Sequence, residues 1–206
     1  MKRNTLTGAA LILGGLTYLI ANSVLTLMMP MGEDWTLMFA SDAFLARLSV
    51  AASSVFFLLV GAIGLYNRQA AKLSLFGKTA FGILFVGSMF LFAHEWAQVF
   101  FLHSLAQIDP EALMALEDAE GTVNFYDIEA ILAVTGFLLG WLLFSISMLM
   151  ARIIKPIGPA ILLAGFFVTP ALAMALPELW GFVVGNSFTA FGWVLIGRDM
   201  MRPLPE

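Results

Sequence analysis

His94 and Glu95 are adjacent ionisable residues inside an apolar run that extends from about residue 79 to residue 103. An ionised side chain at membrane depth is costly unless it faces a partner, a cavity or a ligand. At about 100° per residue on a helix, Gln98 lies on the same face as His94 and Glu95. His103 lies on the opposite face, so we expect that the two histidines of the chain do not bind one metal ion from this helix.

Further polar residues are expected at a similar depth on other apolar segments. Asn22 belongs to a stripe of polar residues at four-residue spacing. Arg47 is expected to pair with Glu95, Asp127 or Glu129, since an unpaired charge at that depth is costly. Asp127 and Glu129 are about 200° apart on a helix, so at most one of them faces inward. The candidate polar site consists of Asn22, Arg47, His94, Glu95, Gln98, Asp127 and Asn186.

Two main interpretations of this candidate site stay open. In the first, it is a satisfied polar network that fixes the register of the helices, with Glu95 protonated or ion-paired. In the second, it is an outward-opening pocket for a proton, a cation or a lipid headgroup. A metal-dependent lipid hydrolase is a minor third alternative, because the chain has no HExxH or HxxxH spacing. Nothing resembles a nucleophile elbow, a Walker loop or a dinucleotide-binding turn, so we predict no catalytic residue and no metal ligand.

The composition predicts a membrane protein, because 61% of the residues are hydrophobic and only 12% are charged. Apolar runs of about 20 residues are long enough to cross the hydrocarbon core as helices. We predict an all-α bundle of six transmembrane helices that forms a single domain over residues 1–206. The helices are expected at roughly 8–29, 44–66, 79–103, 126–150, 152–175 and 178–197. A short surface helix is expected at about 110–120, where Asp109-Pro110 is typical of a helix start.

The charged residues predict the orientation of this bundle. Every Lys and Arg except Arg47 lies before helix 1, after helix 6, or around the connections between helices 2 and 3 and helices 4 and 5. The positive-inside rule makes that side cytoplasmic, so both termini are expected there. Most acidic residues lie on the opposite side. Helix 1 is too long for a signal-peptide core, and we expect it to be retained.

Other ligand classes receive little support from the composition. The chain has no cysteine, which excludes disulfides, thiolate metal sites and thioether-attached haem. The basic residues are few and are explained by topology, so nucleic acid is not an expected partner. We predict no cofactor, although bound lipid is expected in a membrane bundle.

Two small-residue motifs indicate close helix contacts. Gly136 and Gly140 form one GxxxG motif, and Gly181 and Gly185 form another. Glycine at this spacing lets helix backbones approach closely in lipid. We interpret the motifs as packing sites of helices 4 and 6 within the chain, with self-association as the alternative.

Four segments spread over about half of the chain form a further pattern, namely GLYNR at 64–68, WAQVF at 96–100, GWLLF at 140–144 and LMARIIKPIGPAILLAG at 149–165. In these segments the chain resembles a loose group of small bacterial six-helix membrane proteins that have no assigned function. The resemblance implies the six-helix topology and a bacterial inner-membrane location. It implies no substrate and no site residues.

The sequence favours a non-enzymatic membrane protein that acts through binding. An accessory or assembly subunit of a membrane complex is the leading hypothesis, because catalytic motifs and soluble domains are missing. Its expected partners are membrane lipids and other membrane protein chains or a second copy. The alternative is a small transporter or sensor with an outward-facing polar pocket around His94 and Glu95.

Overall fold

The computed structural model describes residues 2–30, 35–117, 125–176 and 180–202, and these residues are almost entirely helical, with no strand among them. The predicted all-α fold is confirmed. Six helices are long and apolar enough to cross a membrane, and two short helices lie between them. In chain order they are α1 (Asn4–Met28), α2 (Trp35–Ala40), α3 (Asp42–Gln69), α4 (Leu75–Ile108), α5 (Pro110–Glu117), α6 (Phe125–Ala151), α7 (Ile157–Ala175) and α8 (Trp180–Met200).

The six long helices form a closed ring in the order of the chain. Each packs against the next one, and α8 packs against α1. One end of the ring, here called the terminal end, carries the start of α1, the end of α8 and the connections at 70–74 and 152–156. The opposite end, here called the loop end, carries α2 and α5, which contact each other and the last turns of α4.

Side-chain caps fix where several helices begin. The Ser41 hydroxyl accepts a hydrogen bond from the Phe44 amide at 3.2 Å, at the start of α3. Ser74 does the same for Gly77 at the start of α4. At the start of α5 the Asp109 carboxylate accepts from the Ala112 amide at 3.0 Å, the arrangement that Asp109-Pro110 predicts.

Two helices differ in extent from the sequence-based expectation. α7 begins at Ile157 rather than near residue 152, because the chain turns at Arg152, whose φ is 53°. The end of α7 at Ala175 and the position of Pro170 inside it agree with the expected range of 152–175. α4 continues beyond residue 103 to Ile108, because Leu102 and Ala106 pack against Leu113 of α5.

Aromatic side chains fill the centre of the ring. Trp141 of α6 and Trp193 of α8 are fully buried, and their ring centroids are 5.4 Å apart. Tyr18 and Phe137 contact the Trp193 ring at 4.9 Å and 6.2 Å. These four residues are called the aromatic layer below. The ring of helices is therefore a packed bundle at this level and not a pore.

Both GxxxG motifs lie at contacts within the chain, each against the preceding long helix. A Cβ added at Gly136 would lie 3.0 Å from Gly87 Cα on α4, and one added at Gly140 would collide with the Leu84 backbone. Gly181 and Gly185 are held in the same way against α7. Substituting these glycines would therefore separate α6 from α4 and α8 from α7.

Candidate functional site

A cluster of polar side chains joins five helices in the half of the bundle near the loop end. It is called the polar cluster and consists of Tyr18, Asn22, Arg47, His94, Glu95, Glu129 and Asn186. Asn22, Arg47, Glu129 and Asn186 each lie within about 6 to 9 Å of the loop-end terminus of their helix, at about 1.5 Å per residue. These four residues therefore lie at a similar depth in the bundle, and they come close together because each helix packs beside the next.

Two contacts between ionisable side chains form the charged part of the polar cluster. Arg47 Nη1 of α3 lies 3.8 Å from Glu95 Oε2 of α4. His94 Nδ1, on the neighbouring residue, lies 2.7 Å from Glu129 Oε2 of α6. Because His94 and Glu95 are consecutive, α4 carries both pairs at one level of the bundle.

Hydrogen bonds extend the polar cluster from Arg47 to α1 and α8. Arg47 Nη2 donates to Asn22 Oδ1 at 3.1 Å. Asn186 Nδ2 donates to the Asn22 carbonyl at 3.3 Å, and the Tyr18 hydroxyl donates to Asn186 Oδ1 at 2.9 Å. The single cation therefore lies between a carboxylate on α4 and an amide on α1.

Glu95 and His94 are buried, whereas Arg47 and Glu129 are partly exposed. The side chains of Glu95 and His94 are 11% and 10% exposed. Three of the buried atoms have no hydrogen-bond partner among the described residues, namely Arg47 Nε, Glu95 Oε2 and Glu129 Oε1. Buried polar atoms in native proteins almost always have a partner, and an unsatisfied one costs about 1–3 kcal/mol.

The charges of the four ionisable side chains in the polar cluster balance only when one further positive charge is present. Two carboxylates, Glu95 and Glu129, face one guanidinium and one imidazole. With the imidazole neutral and both carboxylates ionised, these four described side chains carry one net negative charge. A net charge in a low-dielectric interior is strongly unfavourable, and a single proton removes it.

Two π-helical segments flank the polar cluster. The first, Ile20–Leu25, contains Asn22, and the second, Gln98–Leu102, begins one turn after His94. The Thr26 hydroxyl donates to the Ala21 carbonyl five residues earlier at 2.9 Å, which matches the wider turn. π-Helical turns are rare and occur frequently at functional sites. Each π-helical segment widens its helix, α1 or α4, near the level of the Arg47–Glu95 and His94–Glu129 contacts.

The polar cluster is closed towards the terminal end and is more open towards the loop end. Tyr18 belongs both to the polar cluster and to the aromatic layer, which fills the ring below it. On the other side, the side chains of Glu129 and Arg47 are 28% and 23% exposed.

Most of the residues proposed from the sequence come together here. Asn22, Arg47, His94, Glu95 and Asn186 all belong to the polar cluster. Arg47 pairs with Glu95, one of the three acids considered for it.

Three other residues considered from the sequence, Gln98, Asp127 and Glu129, either lie differently from the prediction or have side chains that the structure does not describe. Gln98 is half-buried and its side chain makes no hydrogen bond to a described residue of the polar cluster. The side chain of Asp127 lies outside the described residues. Glu129, which the sequence offered only as a partner for Arg47, pairs with His94 instead.

His103 has a separate role at the loop end. Its Nδ1 lies 2.8 Å from the Phe39 carbonyl of α2, and its Nε2 lies 3.1 Å from Gln107 Nε2. His103 therefore ties α2 to α4. Among the described residues, no group of three or more His, Asp or Glu side chains is arranged to hold a metal ion.

Comparison with protein-family models, with curated proteins and with solved structures gives no match to this chain. The functional assignment therefore rests on the geometry of the polar cluster.

Proposed function

We propose that this protein binds a proton at the polar cluster and acts in the membrane as a sensor or small transporter, without enzymatic activity. The observation that carries the proposal is the pair of contacts on consecutive residues of α4, Arg47 to Glu95 at 3.8 Å and His94 to Glu129 at 2.7 Å. The two carboxylates, one guanidinium and one imidazole reach neutrality when one proton is bound.

A proton fits this site better than the other ligands considered from the sequence. The guanidinium of Arg47 repels a metal or ammonium cation, and the net negative charge disfavours an anion. A lipid headgroup is large, whereas the unsatisfied atoms are single buried oxygens and one buried nitrogen. Histidine and a paired carboxylate are also the groups that exchange protons in membrane proton relays.

The distribution of basic residues supports an assignment of the side of the membrane from which the proton comes. We propose that the terminal end faces the cytoplasm of a bacterial cell, because the basic residues other than Arg47 lie at or near that end. The loop end then faces outward, and the polar cluster responds to the pH outside the inner membrane. The aromatic layer supports binding from one side rather than free passage through the bundle.

The test is proton uptake by the protein reconstituted in liposomes, measured by pH-jump infrared difference spectroscopy of its carboxyl and imidazole bands. Glu129→Gln and Glu95→Gln each remove one negative charge and leave a neutral cluster. We therefore expect one proton fewer to be taken up by each variant than by the wild type. Glu111→Gln, on the exposed face of α5, is the matched control and should retain the full cluster signal.

Equal proton uptake by the wild type, Glu95→Gln and Glu129→Gln over the same pH jump would refute the proposal. Proteoliposomes loaded with a pH-sensitive dye then separate the two roles. Proton flux that is lost in Glu95→Gln assigns transport, whereas uptake without flux assigns sensing.

A further inference from the structure

A second polar site lies at the terminal end, on the far side of the aromatic layer from the polar cluster. A cavity of about 650 Å³ opens between the ends of α3, α6 and α8 and the connection at 152–156. Four cationic side chains line it, those of Arg68, Arg152, Lys155 and Arg202, together with the carboxylate of Asp199. None of these groups takes part in the proposed proton binding.

The single carboxylate in this cavity is already engaged. Asp199 Oδ1 accepts a hydrogen bond from Arg202 Nη1 at 3.2 Å, and Asp199 Oδ2 accepts from the Lys155 amide at 3.0 Å. Arg68 is fixed as well, since its Nη1 donates to the Met200 carbonyl at 2.7 Å. Among the described residues, no carboxylate lies within 4.0 Å of the charged groups of Arg68, Arg152 and Lys155.

The backbone at Arg152 is a second and independent observation. Arg152 follows the last residue of α6 with a φ of 53°, a left-handed conformation in which glycine is the preferred residue after a helix. A residue with a Cβ is disfavoured there. The arginine therefore occupies a position that favours glycine on backbone grounds, and its side chain lines the cavity.

Apolar surface adjoins these cations. A second cavity of about 240 Å³ shares Lys155, Asp199 and Arg202 with the first. Its wall includes Leu195 and Ile157, and Ile157 is 64% exposed on the flank of the bundle. Cations at the end of a helix bundle beside an exposed apolar flank match a phospholipid, with its phosphate on the cations and its chains along the flank.

We propose that this pair of cavities is a binding site for the phosphate headgroup of an anionic phospholipid. Basic pockets between transmembrane helices recognise such headgroups by charge. A free phosphate ion shares the same charge but makes no use of the apolar wall, so the site is assigned to the lipid.

Lipid titrations of the full-length protein in detergent, followed by native mass spectrometry, test the assignment. The probes are phosphatidylglycerol, phosphatidylcholine and inorganic phosphate. We expect phosphatidylglycerol to bind most tightly. Arg152→Gly and Lys155→Gln should each weaken it about fivefold, the factor that corresponds to about 1 kcal/mol per cation near an anionic surface. Lys78→Gln, an exposed cation that does not line the cavity, is the control.

Arg152→Gly also separates ligand binding from stability. Glycine suits the backbone conformation at residue 152, so the melting temperature should stay unchanged or rise while lipid affinity falls. Three results would overturn the proposal: equal affinity for phosphatidylcholine, an equal loss in Lys78→Gln, or phosphate binding that depends on Arg152 while phosphatidylglycerol binding does not.

Discussion

At the scale of single residues, Arg47 holds the polar cluster together. Among the described residues, Arg47 is the only Lys or Arg that contacts a buried carboxylate in the half of the bundle near the loop end. Its guanidinium also donates a hydrogen bond to Asn22 on α1. Ion pairs in an apolar interior depend on both partners, because removing one leaves the other charge buried and uncompensated. Arg47 therefore links α1, α3 and α4 by charge rather than by shape.

Replacing Arg47 with methionine should destabilise the protein by about 2 kcal/mol, less than for a fully buried pair, because 23% of the Arg47 side chain is exposed. The cause is the uncompensated charge of Glu95. The double variant Arg47→Met with Glu95→Gln should recover most of this loss, since neither charge remains. Thermal unfolding in detergent measures both, with the exposed Arg198→Met as control. Failure of the double variant to recover stability would show that the pair acts by packing alone.

Spacing along each helix was enough to predict most members of the polar cluster, but it did not indicate that Glu129 would pair with His94 rather than with Arg47. The rotation of α6 about its axis decides which helix Glu129 faces. The contact of Gly136 with Gly87, about two helical turns from Glu129, fixes α6 against α4. A tertiary contact of that kind leaves no trace in the periodicity of either helix.

At the scale of helices, glycine contacts and π-helical turns determine how the long helices fit together. The extent of the helices follows from apolar length and caps, so the sequence predicts it well. The π-helical segments at Ile20–Leu25 and Gln98–Leu102 were not predicted. Their residues have no composition that distinguishes them from ordinary helix.

Two glycines of α4 provide a matched comparison of helix packing. A Cβ at Gly87 would collide with the Gly136 backbone, whereas a Cβ at Gly82 meets no atom within 4 Å. Gly87→Ala should therefore push α6 away from α4 and lower the melting temperature. Gly82→Ala should leave it unchanged or raise it, because alanine favours helix over glycine by about 1 kcal/mol. A similar melting temperature for both variants would mean that the contact of α4 with α6 is more adaptable than its spacing indicates.

At the scale of the whole molecule, the two ends of the bundle carry opposite chemistry. The terminal end is basic and holds the cavity proposed for an anionic lipid, and the polar cluster with its two carboxylates lies in the half of the bundle near the loop end. The aromatic layer separates them. If the terminal end is cytoplasmic, the lipid site and the proton site face different compartments.

The orientation can be measured with single cysteines, because the natural chain contains none. Ala71 lies in the connection at 70–74 and Ala115 lies on α5, and both are exposed. In intact cells a membrane-impermeant maleimide should label Ala115→Cys but label Ala71→Cys only after permeabilisation. The reverse pattern would place the loop end in the cytoplasm and the polar cluster under internal pH.

The accessory-subunit hypothesis is also tested on the whole assembly. Native mass spectrometry after mild extraction from the native membrane should show further protein chains at fixed stoichiometry if the protein serves a complex. A single chain that carries only lipid would favour proton binding as an independent function. The sequence cannot make this choice, because lipid-facing and partner-facing surfaces of a membrane helix have similar composition.

The closed ring has a consequence for how the chain can be connected. The start of α1 and the end of α8 lie side by side, since Gly8 and Gly197 are in backbone contact, and each helix otherwise neighbours the next one in the chain. The same ring therefore suits a circular permutant in which a linker joins α8 to α1 and the chain is opened at 70–74. Moving two helices from the front to the back preserves the direction in which every helix crosses the membrane. In such a permutant the helices would enter the membrane in a different order, and the same fold is expected.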